Sequence, residues 1–157
     1  MVQHDAQKRD TMIYEKLPVH ITFGTEIENA QDPVAEILLN NKILVPSQSI
    51  KDNQLIQFDL ELEKDKKYKL LINRTNHDEK NKQVLSIKNF QVDGIGLNKL
   101  LDKMYFYPKY PALWHKQQIE SGNEWPDKQK GWRSFGFNGQ WIMEFETPFY
   151  TWLLANT

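Results

Sequence analysis

The last quarter of the chain, Trp132 to Leu154 (WRSFGFNGQWIMEFETPFYTWLL), places the tightest constraint on what the chain can fold into. It carries three of the five tryptophans, and an Asn138-Gly139 pair separates two runs rich in aromatic residues. Such a pair predicts a β-hairpin, because both central residues of a type I′ turn adopt positive φ. The implied register sets Phe137 opposite Gln140, Phe135 opposite Ile142, Arg133 opposite Glu144 and Trp132 opposite Phe145, with alternate pairs on opposite faces. One face would then bury Trp132, Trp141, Met143 and Phe145. The other would carry Phe135, Phe137 and Ile142, ending in an Arg133–Glu144 ion pair. A hairpin apolar on both faces needs cover on each. The expected cover is a C-terminal helix, Phe149 to Ala155, begun by Pro148 with Thr147 as N-cap, together with the segment Tyr105 to Trp114. A bare second face would be a docking surface.

Upstream, strict alternation marks strands. Val19, Ile21 and Phe23 share a side within Pro18 to Ile27, and Asp32-Pro33 closes a turn. Glu36 to Pro46 reads as two strands around Asn40-Asn41, with Pro46 ending the second. Leu55 to Glu63 (LIQFDLELE) points Ile56, Phe58, Leu60 and Leu62 inward, and Tyr68 to Thr75 alternates at Tyr68, Leu70 and Ile72. The charged turn between these two predicts that they pair. In Val84 to Asp93 the inward position slips by one residue between Ile87 and Phe90, the trace of a β-bulge. Gly94 and Gly96 end that strand, and Leu97 to Lys103 suits one or two helical turns. Tyr105 to Trp114 (YFYPKYPALW) holds two prolines, which argues against a central strand and for an irregular segment wrapped over a sheet. Seven or eight short strands with regular turn signals predict a mainly β protein, an antiparallel β-sandwich of jelly-roll type with one or two short helices. Residues 1–17 read as a polar N-terminal arm and 18–157 as a single domain.

Composition narrows the function classes. The chain of 157 residues has no cysteine, which favours a reducing compartment. Lys and Arg number 20 against 21 acidic residues, so no global field favours nucleic acid or a membrane surface. Nothing approaches the roughly 20 apolar residues of a membrane span. A soluble protein is expected.

No catalytic motif stands out. The histidines His4, His20, His77 and His115 lack metal-ligand spacing, and there is no nucleophile elbow or phosphate loop. Glu144 with Glu146, and Asp59 with Glu61, could serve as acid–base pairs of a glycan hydrolase, but charge alternating with apolar residues is what a half-exposed strand shows. The loop His77-Asp78-Glu79 with Asn81 could offer oxygen ligands to calcium, although a solvated loop is the simpler reading. No cofactor is expected. The aromatic side chains Tyr105, Tyr107, Tyr110, Trp114 and Trp125, with Phe135, Phe137 and Trp152, are the interface or ligand-stacking candidates, since Tyr and Trp suit both a packed layer and a binding surface.

Two resemblances follow from particular stretches. The strand VLSIKNFQVDGIGL, Val84 to Leu97, resembles the calcium-dependent xylan-binding modules, which are small β-sandwiches. Asn81, Lys82 and Gln83 stand where those modules carry acidic residues, so no calcium cage carries over. FYPKYP (Phe106 to Pro111), FNGQWIMEF (Phe137 to Phe145) and the WLL end are similar to small β-sandwich virion proteins of tailed bacteriophages, marine ones especially, over the chain from about Val19. That likeness implies a non-enzymatic structural protein of a tail, neck, fibre or capsid. It would dock on other virion proteins in many copies, with the virion as its location and assembly in the host cytoplasm. The alternative is a carbohydrate-binding module that attaches to host surface glycans. Neither reading involves nucleic acid or a membrane.

Overall fold

In a computed structural model, which describes residues 13–157, alternating apolar side chains sort the strands into two antiparallel sheets. The elements are β1 (Glu15–Ile27), β2 (Val34–Leu39), β3 (Lys42–Ser49), β4 (Gln54–Leu62), β5 (Lys67–Thr75), β6 (Gln83–Val92) and β7 (Ile95–Gly96). Helix α1 (Asn98–Leu101), β8 (Tyr105–Lys109), α2 (Ala112–Glu120), β9 (Gln129–Lys130), β10 (Ser134–Phe135), β11 (Asn138–Glu146) and α3 (Phe149–Asn156) follow. The first sheet runs β10-β6-β1-β4, with β7 beside β6, and the second runs β3-β2-β5-β11-β8-β9. Val19, Ile21, Phe23, Leu60, Phe90 and Val92 of the first sheet and Leu70, Ile72, Trp141 and Met143 of the second are fully buried. This mainly β sandwich is the expected fold class. Most of the expected N-terminal arm lies outside the described residues, and β1 already begins at Glu15.

The expected hairpin does not form. β10 pairs with β6, Phe135 lying opposite Leu85, whereas β11 pairs with β5 and β8 in the other sheet. Gly136 and Phe137 therefore carry the chain across the sandwich. Asn138 lacks the positive φ of a type I′ turn, and its side chain is used elsewhere, accepting the His77 backbone N–H at 2.9 Å. Gly139 is needed for space: a Cβ there would sit 2.4 Å from the Tyr107 carbonyl and 2.9 Å from Pro108 Cα. The turn chemistry appears instead at Asn40-Asn41 (φ 47° and 68°), which joins β2 to β3 as expected, and at Asp93-Gly94 (φ 50° and 76°) between β6 and β7.

Consequences of the missing hairpin run through the chain. Trp132 is not core but 47% exposed, while Trp141, Met143 and Phe145 are buried as expected. Arg133 pairs with Asp102 at 2.8 Å and Glu144 with Lys69 at 3.5 Å, so the expected ion pair between them is absent. β4 and β5 do not pair either, for β4 joins β1 and β5 lies between β2 and β11. Alternation reads the same in either sheet, so it could not tell a hairpin from a crossing.

Pro46 does not end its strand but lies within β3, an edge strand where a missing N–H is tolerated. Tyr105–Lys109 is a strand and not an irregular wrap; its outer neighbour β9 pairs with Tyr105 and Phe106 alone, which leaves Pro108 on an open edge. The expected bulge in β6 is present, with Thr22 opposite Asn89 and Phe23 opposite Ile87, so that Lys88 is the extra residue. Thr147 does not cap α3. Its hydroxyl donates to the Glu63 carbonyl (2.6 Å) and accepts the Lys66 N–H (2.9 Å), while the carboxylate of Glu15 takes the Phe149 N–H at 2.9 Å.

Candidate functional site

Three connections meet at one end of the sandwich: the loop from β5 to β6, the Phe137 crossing, and the step from β8 into α2. Helix α2 buries none of its own residues. Its place is set by an aromatic group centred on Phe137, whose ring lies 5.0 Å from Tyr110, 5.1 Å from Trp114, 6.2 Å from Trp125 and 5.2 Å from His77. Trp114 and Trp125 are 5.1 Å apart, and Tyr110 is 4.9 Å from His115. Tilted and edge-on contacts of this kind are the favoured aromatic geometry. Polar ends are satisfied as well: the Tyr110 hydroxyl donates to the Pro126 carbonyl at 2.7 Å and Trp125 Nε1 to Gln118 Oε1 at 3.2 Å. Burial, and behind it the charge of Asp127, raises the Tyr110 pKa and keeps its hydroxyl a donor.

Between α2 and the β5–β6 loop runs an open groove of about 430 Å³. His77, Asp78, Glu79 and Asn81 form one wall, Trp114 and Gln117 the other, and Phe137 closes the bottom. The loop wall is fixed from beneath by Arg74, which β5's alternation turns inward and which is fully buried. Arg74 Nη2 donates to the Gln83 carbonyl (2.9 Å) and side-chain oxygen (2.8 Å), and Nη1 to Asn138 Oδ1 (3.3 Å). Those two side-chain oxygens also accept backbone N–H groups of the loop, Gln83 Oε1 from Asp78 (2.7 Å) and Asn138 Oδ1 from His77 (2.9 Å). Gln83 Nε2 reaches the Gln31 carbonyl at 2.7 Å. Burial lowers the Arg74 pKa to about 10, which still leaves a cation at neutral pH. Burial, and then the Arg74 charge, push His77 below its ordinary value, favouring the neutral ring.

The loop does not make a calcium cage. Asp78 Oδ1 is committed to the N–H groups of Lys80 (2.8 Å) and Asn81 (2.9 Å), bonds that also lower its pKa. Among the described residues no group of three or more His, Asp or Glu side chains could hold a metal. The suggested acid–base pairs are surface carboxylates with lysine partners, Asp59 with Lys16 (3.8 Å), Glu144 with Lys69 (3.5 Å) and Glu146 with Lys67 (4.0 Å).

The stacking candidates separate into four places. Tyr110, Trp114, Trp125 and Phe137 pack together, and of these Trp114 and Phe137 line the groove. Phe135 is core, stacked on Phe106 at 4.5 Å. Tyr105 and Tyr107 lie 6.3 Å apart on the outer face of the second sheet. Trp152 is at the opposite end, 5.9 Å from Phe145. Sequence reasoning missed Arg74, Gln83, Gln117 and Asn138. A positively charged residue continuing the inward set Tyr68, Leu70, Ile72 was the available signal for the first of them.

The sandwich is similar to that of vCBM60 in complex with galactobiose, with a TM-score of 0.52 at 8% identity over 80% of this chain and 95% of that one. It is also similar to the selenomethionine form of vCBM60, described with a circular permutation that links two families of calcium-dependent carbohydrate-binding modules. There the TM-score is 0.50 at 7% identity, covering 80% and 88% of the two chains. Identities this low establish a shared fold. No family model matches the sequence, and no curated protein matches it significantly.

Proposed function

We propose that the protein is a non-catalytic carbohydrate-binding module that holds an uncharged sugar in the groove between α2 and the β5–β6 loop. One observation carries this reading: the Trp114 indole lines a groove about 430 Å³ in volume beside the polar side chains of His77, Asp78, Glu79 and Gln117, and the 36% exposed Trp125 backs it at 5.1 Å. A pyranose presents C–H groups on its faces and hydroxyls on its edges, so it needs rings and hydrogen-bonding groups side by side. The fold likeness to modules described as carbohydrate-binding supports the reading. Binding here would be carried by the chain's own side chains, without a calcium bridge, since Asp78 Oδ1 is committed to the loop's own N–H groups and no group of three or more His, Asp or Glu side chains among the described residues could hold the ion.

The test is affinity electrophoresis through gels containing soluble galactan, xylan or mixed-linkage glucan. Wild-type protein should be retarded by at least one of them, and Trp114→Ala should run free while keeping its thermal transition. Equal mobility in every gel would overturn the reading.

A second reading, a virion subunit docked on other virion proteins and assembled in the host cytoplasm, draws on α2, which presents Leu113 (70% exposed) and Ile119 (61% exposed) to solvent. Mass spectrometry of purified particles tests it, and absence of the chain from them would exclude it.

A further inference from the structure

The outer face of the six-stranded sheet carries a pattern that ordinary solvation does not explain. Register places Ile43, Leu38, Leu71, Ile142 and Tyr105 side by side across β3, β2, β5, β11 and β8. All five point away from the core and none is buried. Antiparallel sheets with one face in water normally place polar residues there. This apolar row spans five strands, about 19 Å, and is one residue wide, with a polar row about 7 Å away on either side.

Both borders are polar and already ordered. On one side Glu36, Asn73, Gln140 and Tyr107 are in register, and the Glu36 carboxylate accepts from Asn73 Nδ2 (3.0 Å) and the Ser47 hydroxyl (3.2 Å). Beside this border a recess of about 430 Å³ opens among Asn73, Tyr107, Lys109, Asn138 and Gln140. On the other side Lys69 and Glu144 neutralise each other at 3.5 Å. Glu36 on the first border is held by neutral donors, and Lys109 in the recess and Lys128 over Tyr105 carry the opposite sign, so the face presents no single-sign field to select a charged partner. A narrow apolar strip with fixed hydrogen-bonding edges is also a poor match for a protein, whose interfaces need a broad buried centre within a polar rim. It matches a ribbon with apolar faces and hydroxylated edges.

We propose that this face is a second contact surface for an extended, uncharged oligosaccharide, laid across the strands over Leu71, Ile142 and Tyr105 with its hydroxyls toward Asn73, Gln140 and Tyr107. The assignment rests on the carbohydrate-binding reading and adds chain length to it: the end groove takes one or two sugar units, and the sheet face takes the continuing chain or a second one. Lys128, which sits 4.8 Å above the Tyr105 ring, would move aside or cap the bound sugar.

Calorimetric titration with β-linked hexasaccharides and disaccharides of galactose and of xylose decides it. The expected result is tighter binding of a hexasaccharide than of its disaccharide by wild-type protein. Tyr107→Ala and Gln140→Ala, both exposed positions, should each weaken the hexasaccharide by about three- to tenfold, the factor that one lost contact of this kind represents, and leave the disaccharide unchanged. Tyr107→Phe should fall between wild type and Tyr107→Ala. Equal binding of hexasaccharide and disaccharide, or hexasaccharide binding indifferent to both alanine variants yet lost in Trp114→Ala, would overturn the second surface and leave the groove standing. Failure of every sugar to bind wild-type protein would overturn the carbohydrate-binding reading and this inference with it.

Discussion

Arg74 places one guanidinium nitrogen between the main-chain and side-chain oxygens of Gln83, at 2.9 and 2.8 Å, in a position fully closed to solvent. Among the described residues the cation has no carboxylate as a hydrogen-bond partner, so its stability depends on neutral oxygens held at the right distance. Those oxygens in turn hold the backbone of the groove wall. Arg74→Lys keeps a charge but loses the planar fork, and should cost about 2–3 kcal/mol. Urea unfolding measures that loss. Amide exchange at His77 and Asp78 should also rise more than exchange in β1, because their acceptors lose their anchor.

Gly139→Ala tests the reason for a glycine at that position. Its Cβ would meet the backbone of β8, which cannot move without breaking register, so overpacking should cost about 1–3 kcal/mol. Thermal unfolding gives the cost. A stability equal to that of wild type would show that β8 can shift.

Thr147 ties the β4–β5 crossing to the end of β11 through its buried hydroxyl. Thr147→Val preserves shape and removes both bonds, leaving the Lys66 N–H and the Glu63 carbonyl short of a partner. About 1–3 kcal/mol should be lost, read from the denaturation midpoint at constant slope.

His77 gives the groove end a pH dependence whose sign follows from its depressed folded-state pKa. The unfolded chain binds a proton more readily than the folded one, so this contribution to stability is present above the unfolded value of about 6.5 and is lost as pH falls through the lower folded value. Arg74 opposes protonation, while Asp78 and Glu79 partly favour it. His77→Gln should flatten the stability profile in that window, measured as melting temperature between pH 7.5 and 5.

How much of this was legible in the residues depends on what each signal encodes. Alternation in β1, β4 and β5 identified strands and inward faces, and the slip from Ile87 to Phe90 identified the bulge, because both are local consequences of a two-residue period. Sheet membership is not local. Leu60 and Leu70 face the same core from opposite sheets, and nothing in either strand says so. Asn138-Gly139 misled for a related reason: the glycine answers to Tyr107 and Pro108 across a strand boundary, and the asparagine to His77 and Arg74, all distant in sequence. The aromatic excess was visible, but its division was not. Once the hairpin failed, Phe135 went to the core, Phe137 to the groove, and Ile142 to the open face beside Leu71 and Tyr105.

The most direct measurement uses the five tryptophan indole N–H resonances in a titration with galacto- and xylo-oligosaccharides. The Trp114 signal, and through its contact that of Trp125, should shift in proportion to bound sugar, while those of buried Trp141 and of Trp152 at the far end stay in place. A titration to millimolar sugar in which the groove indole of Trp114 does not move, or in which Trp152 alone responds, would contradict the carbohydrate-binding reading.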